Sequence, residues 1–235
     1  PFDFHPTRQL LDAVIARSIY QQMLPAAGGQ AQVSIAELMQ TQEIYEPPVL
    51  QYLVALSYRV VGSEHLWIAR IWTSLFWLLG GLALYLLGRR LFSTPAALFS
   101  LAFYLFQPFG ITASRSFQPD PVMVAMILWA AWALVRWSDQ PSWKNAVISG
   151  VLCGLAVFVK VTAAFALIGI AMVMVLSAYG WRRFWKQPQV WAVAALAALP
   201  SVLYYIIGLG TRSSGYFSYW SLSFWKLFLK PSFYG

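Results

Sequence analysis

The feature that most constrains this chain is an apolar run over residues 145–179 whose only charged member is Lys160. As one helix it would be about 52 Å long at 1.5 Å per residue, against a bilayer hydrocarbon core of about 30 Å. The run must therefore turn back on itself, and Lys160-Val161-Thr162 is the polar point at which to do so. Further apolar segments at 68–87, 95–113, 121–137 and 190–207 each approach the length needed to cross a bilayer as helix. Only 10% of the residues are charged and 60% are hydrophobic, whereas a soluble domain carries about 25% charged residues. The expected class is all-α, a polytopic integral membrane protein.

Residues 1–65 are the least apolar part. Pro6 biases His5 away from helical geometry. A helix follows over about 9–23, with apolar positions at Leu10, Val14, Ala16, Ile19 and Met23 and with Asp12 and Arg17 between them. This spacing predicts an amphipathic helix lying along the membrane surface. A polar connector over 26–42, with a short helix after Ser34, leads to Glu46-Pro47-Pro48, where proline suits a first helical turn. Residues 49–61 are mostly apolar but only about four turns long, too short to span, and Gly62 closes them. The expected organisation is one transmembrane domain over 1–235. It comprises a long first outer loop with amphipathic juxtamembrane helices at 1–65, about five or six membrane helices at 66–207, and an outer polar-aromatic segment at 208–235. The tail aromatics Tyr216, Tyr219 and Trp220 read as an interfacial belt. The chain opens on Pro1 and is read as a piece of a longer one.

Charge placement sets orientation. The formal net charge is +8, but the basic residues stand singly or beside the ends of apolar runs, which points to membrane flanks rather than nucleic acid. With Arg89 and Arg90 at the cytoplasm, strict alternation sends Arg136, Lys144, Arg182, Arg183 and Lys186 to the same side, as the positive-inside rule asks. Residues 1–65, the polar island Ser114-Arg115-Ser116-Phe117-Gln118-Pro119-Asp120-Pro121, the Lys160 turn and the tail then share the other side. Asp3, Glu46, Arg115, Asp120 and Lys160 thus converge on the outer face. A helix over 145–160 covers about 24 Å, so Lys160 sits recessed, where a lone lysine needs an anion; snorkelling to the headgroups is the plainer alternative. Gly150 and Gly154 form a G-x-x-x-G that permits close helix contact.

An outward pocket with carboxylates above and a lysine below suits a reaction on a lipid-linked phosphate. A carboxylate can take a proton from an incoming hydroxyl, and a cation can stabilise charge growing on a departing phosphate. No nucleotide cradle of the G-x-x-x-x-G-K-[ST] or G-x-G-x-x-G kind is present. With two histidines, His5 and His65, and the single Cys153, a closed structural zinc site is disfavoured, as is a looser one using Glu46 and His5. A divalent metal is compatible with the chemistry, but no ligand set points to it. The single cysteine also excludes an intrachain disulfide.

Asp3, Tyr45-Glu46-Pro47-Pro48-Val49-Leu50, Val61-Gly62, Arg70, Arg115 with Asp120, and Phe158-Val159-Lys160, in that order, resemble the GT-C superfamily. More narrowly they resemble its branch of dolichyl-phosphate-mannose–protein mannosyltransferases and lipid A aminoarabinose transferases. The resemblance runs from Asp3 to about Tyr205 and implies a GT-C-like helical bundle. It implies that Asp3 acts as base, that Asp120 helps hold the acceptor or the base, and that Lys160 contacts the donor phosphate, with Glu46 near the cavity; Arg115, in the same outer loop as Asp120, is read as a further substrate contact. Asp3 is followed by Phe4-His5-Pro6, not by the acidic neighbour common in the branch. The activity implied is inverting transfer of a sugar from a polyprenyl-phosphate donor to a lipid, glycan or protein acceptor at the outer face of a plasma or inner membrane. A transporter or flippase for a lipid-linked or anionic solute is the alternative, and a non-catalytic assembly subunit is a third reading. Against the transporter, no internal repeat stands out.

Overall fold

The structure, a computed structural model, describes residues 5–24, 46–204 and 229–230. Among the described residues all regular structure is helical. The elements are α1 (Pro6–Gln22), α2 (Val49–Val61), α3 (Leu66–Leu91), α4 (Thr94–Phe106), α5 (Pro108–Ala113), α6 (Asp120–Asp139), α7 (Trp143–Val159), α8 (Ala163–Tyr179), a 3₁₀ turn (Phe184–Lys186) and α9 (Pro188–Val202). The 26–42 connector, the helix after Ser34 and the tail aromatics lie outside the described residues.

Local chemistry sets most boundaries. Gly62 caps α2 at φ +79°, a left-handed conformation that only glycine adopts without strain. Ser93 and Ser142 cap α4 and α7, their hydroxyls accepting from the backbone N–H groups of Ala96 and Asn145. The single span expected over 95–113 is instead two helices. Pro108 supplies no N–H and disfavours helical geometry at the residue before it, and Gln107 is accordingly extended at φ −65°, ψ 141°. As a result α4 has 13 residues and α5 only 6. Among the described residues two helices, α3 and α6, are long and apolar enough to cross a membrane, and α2, α4, α7, α8 and α9 are shorter apolar helices.

The reading of α1 also needs correction. Its buried stripe is Gln9, Asp12, Ile15, Ala16, Ile19 and Tyr20, while Leu10, expected on the apolar face, is 50% exposed. The register is rotated because α1 docks on protein. Ile15, Ala16, Ile19 and Tyr20 join Leu50, Val54 and Tyr58 of α2, Ile68 of α3, Phe117, Val122 and Val159 in one apolar cluster. The Tyr20 and Tyr58 rings meet edge to face at 5.8 Å, and Trp72 Nε1 donates to Ser57 Oγ at 2.9 Å, tying α2 to α3.

A second apolar cluster joins α6 to α9. Here the G-x-x-x-G is a close-packing device. A Cβ at Gly150 would stand 2.8 Å from Leu196 Cβ, and one at Gly154 would strike the carbonyl oxygen of Leu196. Gly169 on α8 has open space instead. The chain ends of these helices sort into two groups. Arg90 at the end of α3 pairs with Asp139 at the end of α6 at 2.7 Å, and Trp137 Nε1 donates to Gln189 Oε1 at the start of α9 at 2.9 Å. The start of α6 lies at the other end of the bundle, about 30 Å away for 20 helical residues.

Overpacking against a backbone atom costs about 1–3 kcal/mol. Gly154→Ala in the full-length protein should therefore lower the apparent melting temperature in detergent by several degrees, whereas Gly169→Ala should leave it within a degree or two. Equal melting temperatures for the two variants would refute the close α7–α9 contact.

Candidate active site

The site forms where two helix ends meet. α7 stops at Val159, and Lys160 is extended at φ −158°, ψ 120° before α8 begins at Ala163. The break lets the Lys160 side chain reach the start of α6, where Asp120 occupies the first turn between Pro119 and Pro121. A carboxylate there is favoured by the helix dipole. Lys160 Nζ donates to Asp120 Oδ1 at 2.8 Å and lies 3.8 Å from Glu46 Oε1. The other oxygen of Glu46 accepts from Arg8 Nη2 of α1. Four chain segments thus supply an alternating row, Arg8–Glu46–Lys160–Asp120. The Lys160 and Glu46 side chains are 16% and 18% exposed, and Asp120 is 36% exposed. Phe117 N–H donates to Gln9 Oε1 at 3.1 Å, which fastens the 114–120 loop to α1 beside this row.

One turn along α1 from Arg8 lies Asp12, 5% exposed. Its Oδ1 accepts from Gln51 Nε2 of α2, while Oδ2 is buried without a hydrogen-bond partner. Burial pushes this carboxyl up to about 7; the Gln51 hydrogen bond and Arg8 oppose the shift, and the negative charges of Glu46 and Asp120 add to it. Near neutral pH Asp12 is therefore poised between acid and base, and its unpartnered oxygen can hold a proton or donate one.

Of the residues marked in the sequence, Glu46, Asp120 and Lys160 come together. Arg115 is exposed and forms no ion pair among the described residues. Asp3 lies outside the described residues. Lys160 is not a lone cation awaiting an external anion, because Asp120 and Glu46 already face it. Arg8, Asp12 and Gln51 were not marked. The signal for Asp12 was its spacing of three to Gln9 and Ile15 and seven to Ile19, which puts it on their helical face rather than between apolar positions. Among the described residues no group of three or more His, Cys, Asp or Glu side chains could hold a metal ion.

The Asp12 carboxyl gives a signed pH dependence. Its folded pKa of about 7 lies above the ordinary value of 3.8. Between roughly pH 4 and 7 the folded state thus binds more protons than the unfolded one, and stability falls as pH rises through that window. A shift of this size is on the order of 4 kcal/mol. Asp12→Asn should flatten the fall in apparent melting temperature of the full-length protein between pH 5 and 8. A variant with the wild-type slope would show that Asp12 is ionised throughout.

Residues 45–207 match the profile of the family described as dolichyl-phosphate-mannose-protein mannosyltransferase. The undecaprenyl phosphate-alpha-4-amino-4-deoxy-L-arabinose arabinosyl transferase of Pseudomonas aeruginosa (strain UCBPP-PA14) is 31% identical over 189 residues, which cover 77% of this chain and 33% of that protein. The chain thus spans about a third of the length of that relative. No solved structure matches. With the profile covering most of the chain, α1 excepted, and the identity extending over three quarters of it, the chain belongs to the dolichyl-phosphate-mannose-protein mannosyltransferase family of the GT-C superfamily, on the lipid A aminoarabinose transferase branch.

Proposed function

We propose that the protein containing this chain is a membrane glycosyltransferase that moves a sugar from a polyprenyl-phosphate donor to an acceptor hydroxyl at the outer face of the membrane. The observation that carries the reading is the Lys160–Asp120 pair at 2.8 Å, with Glu46 beside it, at the junction of two apolar helices. The undecaprenyl-phosphate donor in the name of the Pseudomonas relative supports a lipid-linked donor here.

The row of charges supports a specific sequence of events. The donor phosphate takes Lys160 as its counterion and displaces Asp120. An acceptor oxygen attacks the anomeric carbon from the face opposite the phosphate, and the bond from that carbon to the phosphate oxygen breaks. The acceptor proton passes to a carboxylate, Asp3 by family resemblance or the freed Asp120, and polyprenyl phosphate leaves with its charge held by Lys160. The anomeric configuration inverts.

A polytopic bundle with its site on the outer side is part of this reading. The most apolar window of α3 is only 28% buried, which suits a lipid-facing helix better than the core of a soluble domain. Phe99, Phe103 and Phe106 on α4 are 77%, 67% and 73% exposed, a surface that water disfavours. Residues 1–65 then form the outer loop, with α1 and α2 seated against the bundle, and 66–207 form the membrane helices.

Transfer by the full-length protein in membranes, assayed with radiolabelled polyprenyl-phosphate sugars, tests the activity. Lys160→Ala and Asp3→Asn should each lower turnover by about a hundredfold or more with expression intact. Wild-type membranes inactive with every donor would overturn the assignment, and undiminished turnover in Asp3→Asn would move the base role to Asp120. Topology has its own test: in sealed vesicles an impermeant thiol reagent should label His65→Cys and Gln140→Cys from opposite sides. Labelling of both from one side would refute a spanning α3.

A further inference from the structure

About 30 Å from the Lys160 site, at the opposite ends of α3 and α6, lies a cleft of about 540 Å³ lined by Leu86, Arg89, Arg90, Trp132, Arg136 and Asp139, among others. We infer that this cleft is a binding site for the phosphodiester of an anionic phospholipid in the cytoplasmic leaflet. The inference rests on the membrane-spanning part of the proposed function but not on the sugar-transfer chemistry.

The argument is one of charge and holding. Asp139 is committed to Arg90, accepting from Nε at 2.8 Å and Nη2 at 2.7 Å. Arg89 and Arg136 form no ion pair among the described residues. Each is instead held against a ring, Arg89 with Cζ 5.7 Å from the Tyr85 centroid and Arg136 with Cζ 5.4 Å from that of Trp132. A cation on an aromatic face keeps its outward N–H groups available, and guanidinium is the group best shaped to grip phosphate oxygens. Three arginines and one aspartate give the cleft a formal charge of +2. The C-termini of α3 and α6 each contribute about −0.5 from the helix dipole, which leaves about +1. That balance matches the single negative charge of a phosphodiester better than a phosphate dianion. It also disfavours a zwitterionic headgroup, whose ammonium would meet the arginines. Leu86, Val135 and Trp132 supply an apolar wall below the headgroup for the glycerol and upper acyl chain. Basic pockets between membrane helices on this side of a bilayer are the kind that take anionic headgroups.

Native mass spectrometry of the full-length protein, titrated with phosphatidylglycerol, phosphatidylcholine or inorganic phosphate, tests the site. Phosphatidylglycerol should bind more tightly than phosphatidylcholine. Each arginine at an anionic surface contributes about fivefold, so Arg89→Gln with Arg136→Gln should weaken phosphatidylglycerol about thirtyfold. Asp139→Asn, which releases Arg90, should tighten it, and this opposite sign keeps the test informative if the double variant folds poorly. Unchanged phosphatidylglycerol affinity in both variants would overturn the assignment. Displacement of bound phosphatidylglycerol by equimolar inorganic phosphate would reassign the cleft to a free phosphate. Labelling of His65→Cys and Gln140→Cys from one side of the vesicle would instead show that the membrane reading itself had failed.

Discussion

Everything at the Lys160 end of this bundle depends on how the Lys160 side chain is paired. An ammonium with a side chain only 16% exposed loses much of its hydration, at a cost of several kcal/mol. Its contact with Asp120 at 2.8 Å returns about 6 kcal/mol at an effective dielectric constant of 20, and Asp120 pays its own desolvation in making it. The pair therefore comes close to breaking even and is a poor device for stability alone. It does fix geometry. For Lys160 to reach Asp120, α7 must stop at Val159, α6 must start at Asp120, and both ends must meet at one depth.

The packing of α1 and α2 follows from the same requirement. Glu46 can approach Lys160 only because Pro47 and Pro48 set the entry into α2, and Arg8 can reach Glu46 only because α1 docks on α2 through Ile15, Ile19, Tyr20 and Tyr58. The apolar cluster beside the charges is thus what delivers them. Asp12 shows the limit of that arrangement. It is carried into the same interface by the register of α1, and Gln51 satisfies one of its two oxygens. A fully ionised carboxylate there would face Glu46 and Asp120 with Arg8 as its main counterion, so burial and like charge both favour the proton.

The sequence made α3, α6 and the turn at Lys160 legible, because apolar run length against bilayer thickness is a strong constraint. Residues 49–61 were read with the bounds that the structure has, since Pro48 and Gly62 punctuate them. The convergence of Glu46, Asp120 and Lys160 followed from alternation of helices and did not need side-chain detail. What stayed illegible depended on tertiary contact. The break at Pro108 was readable in principle but competed with an otherwise continuous apolar run. The rotation of α1 was not readable from apolar spacing, because its buried face begins with Gln9 and Asp12, polar residues whose burial makes sense only once Phe117 and Gln51 are seen to meet them. Arg8 escaped notice for the same reason.

On the proposed reading, the mutual pairing of the charges makes donor binding an exchange, and the exchange has a preferred direction. A phosphate reaching Lys160 must displace Asp120 or Glu46. Glu46 is also bound by Arg8 and is 18% exposed, whereas among the described residues Asp120 pairs with Lys160 alone and is 36% exposed. Released, Asp120 can be rehydrated and still sits at the N-terminus of α6, where the dipole favours its charge by about 0.3–1 kcal/mol. Glu46 would leave Arg8 half-buried and unpaired, a far larger loss. Asp120 is therefore the carboxylate that lets go, and it does so only when a phosphate is present. A site wired in this way holds its basic group shielded by Lys160 until the leaving group has arrived, and so couples the appearance of a proton acceptor to occupancy by the donor.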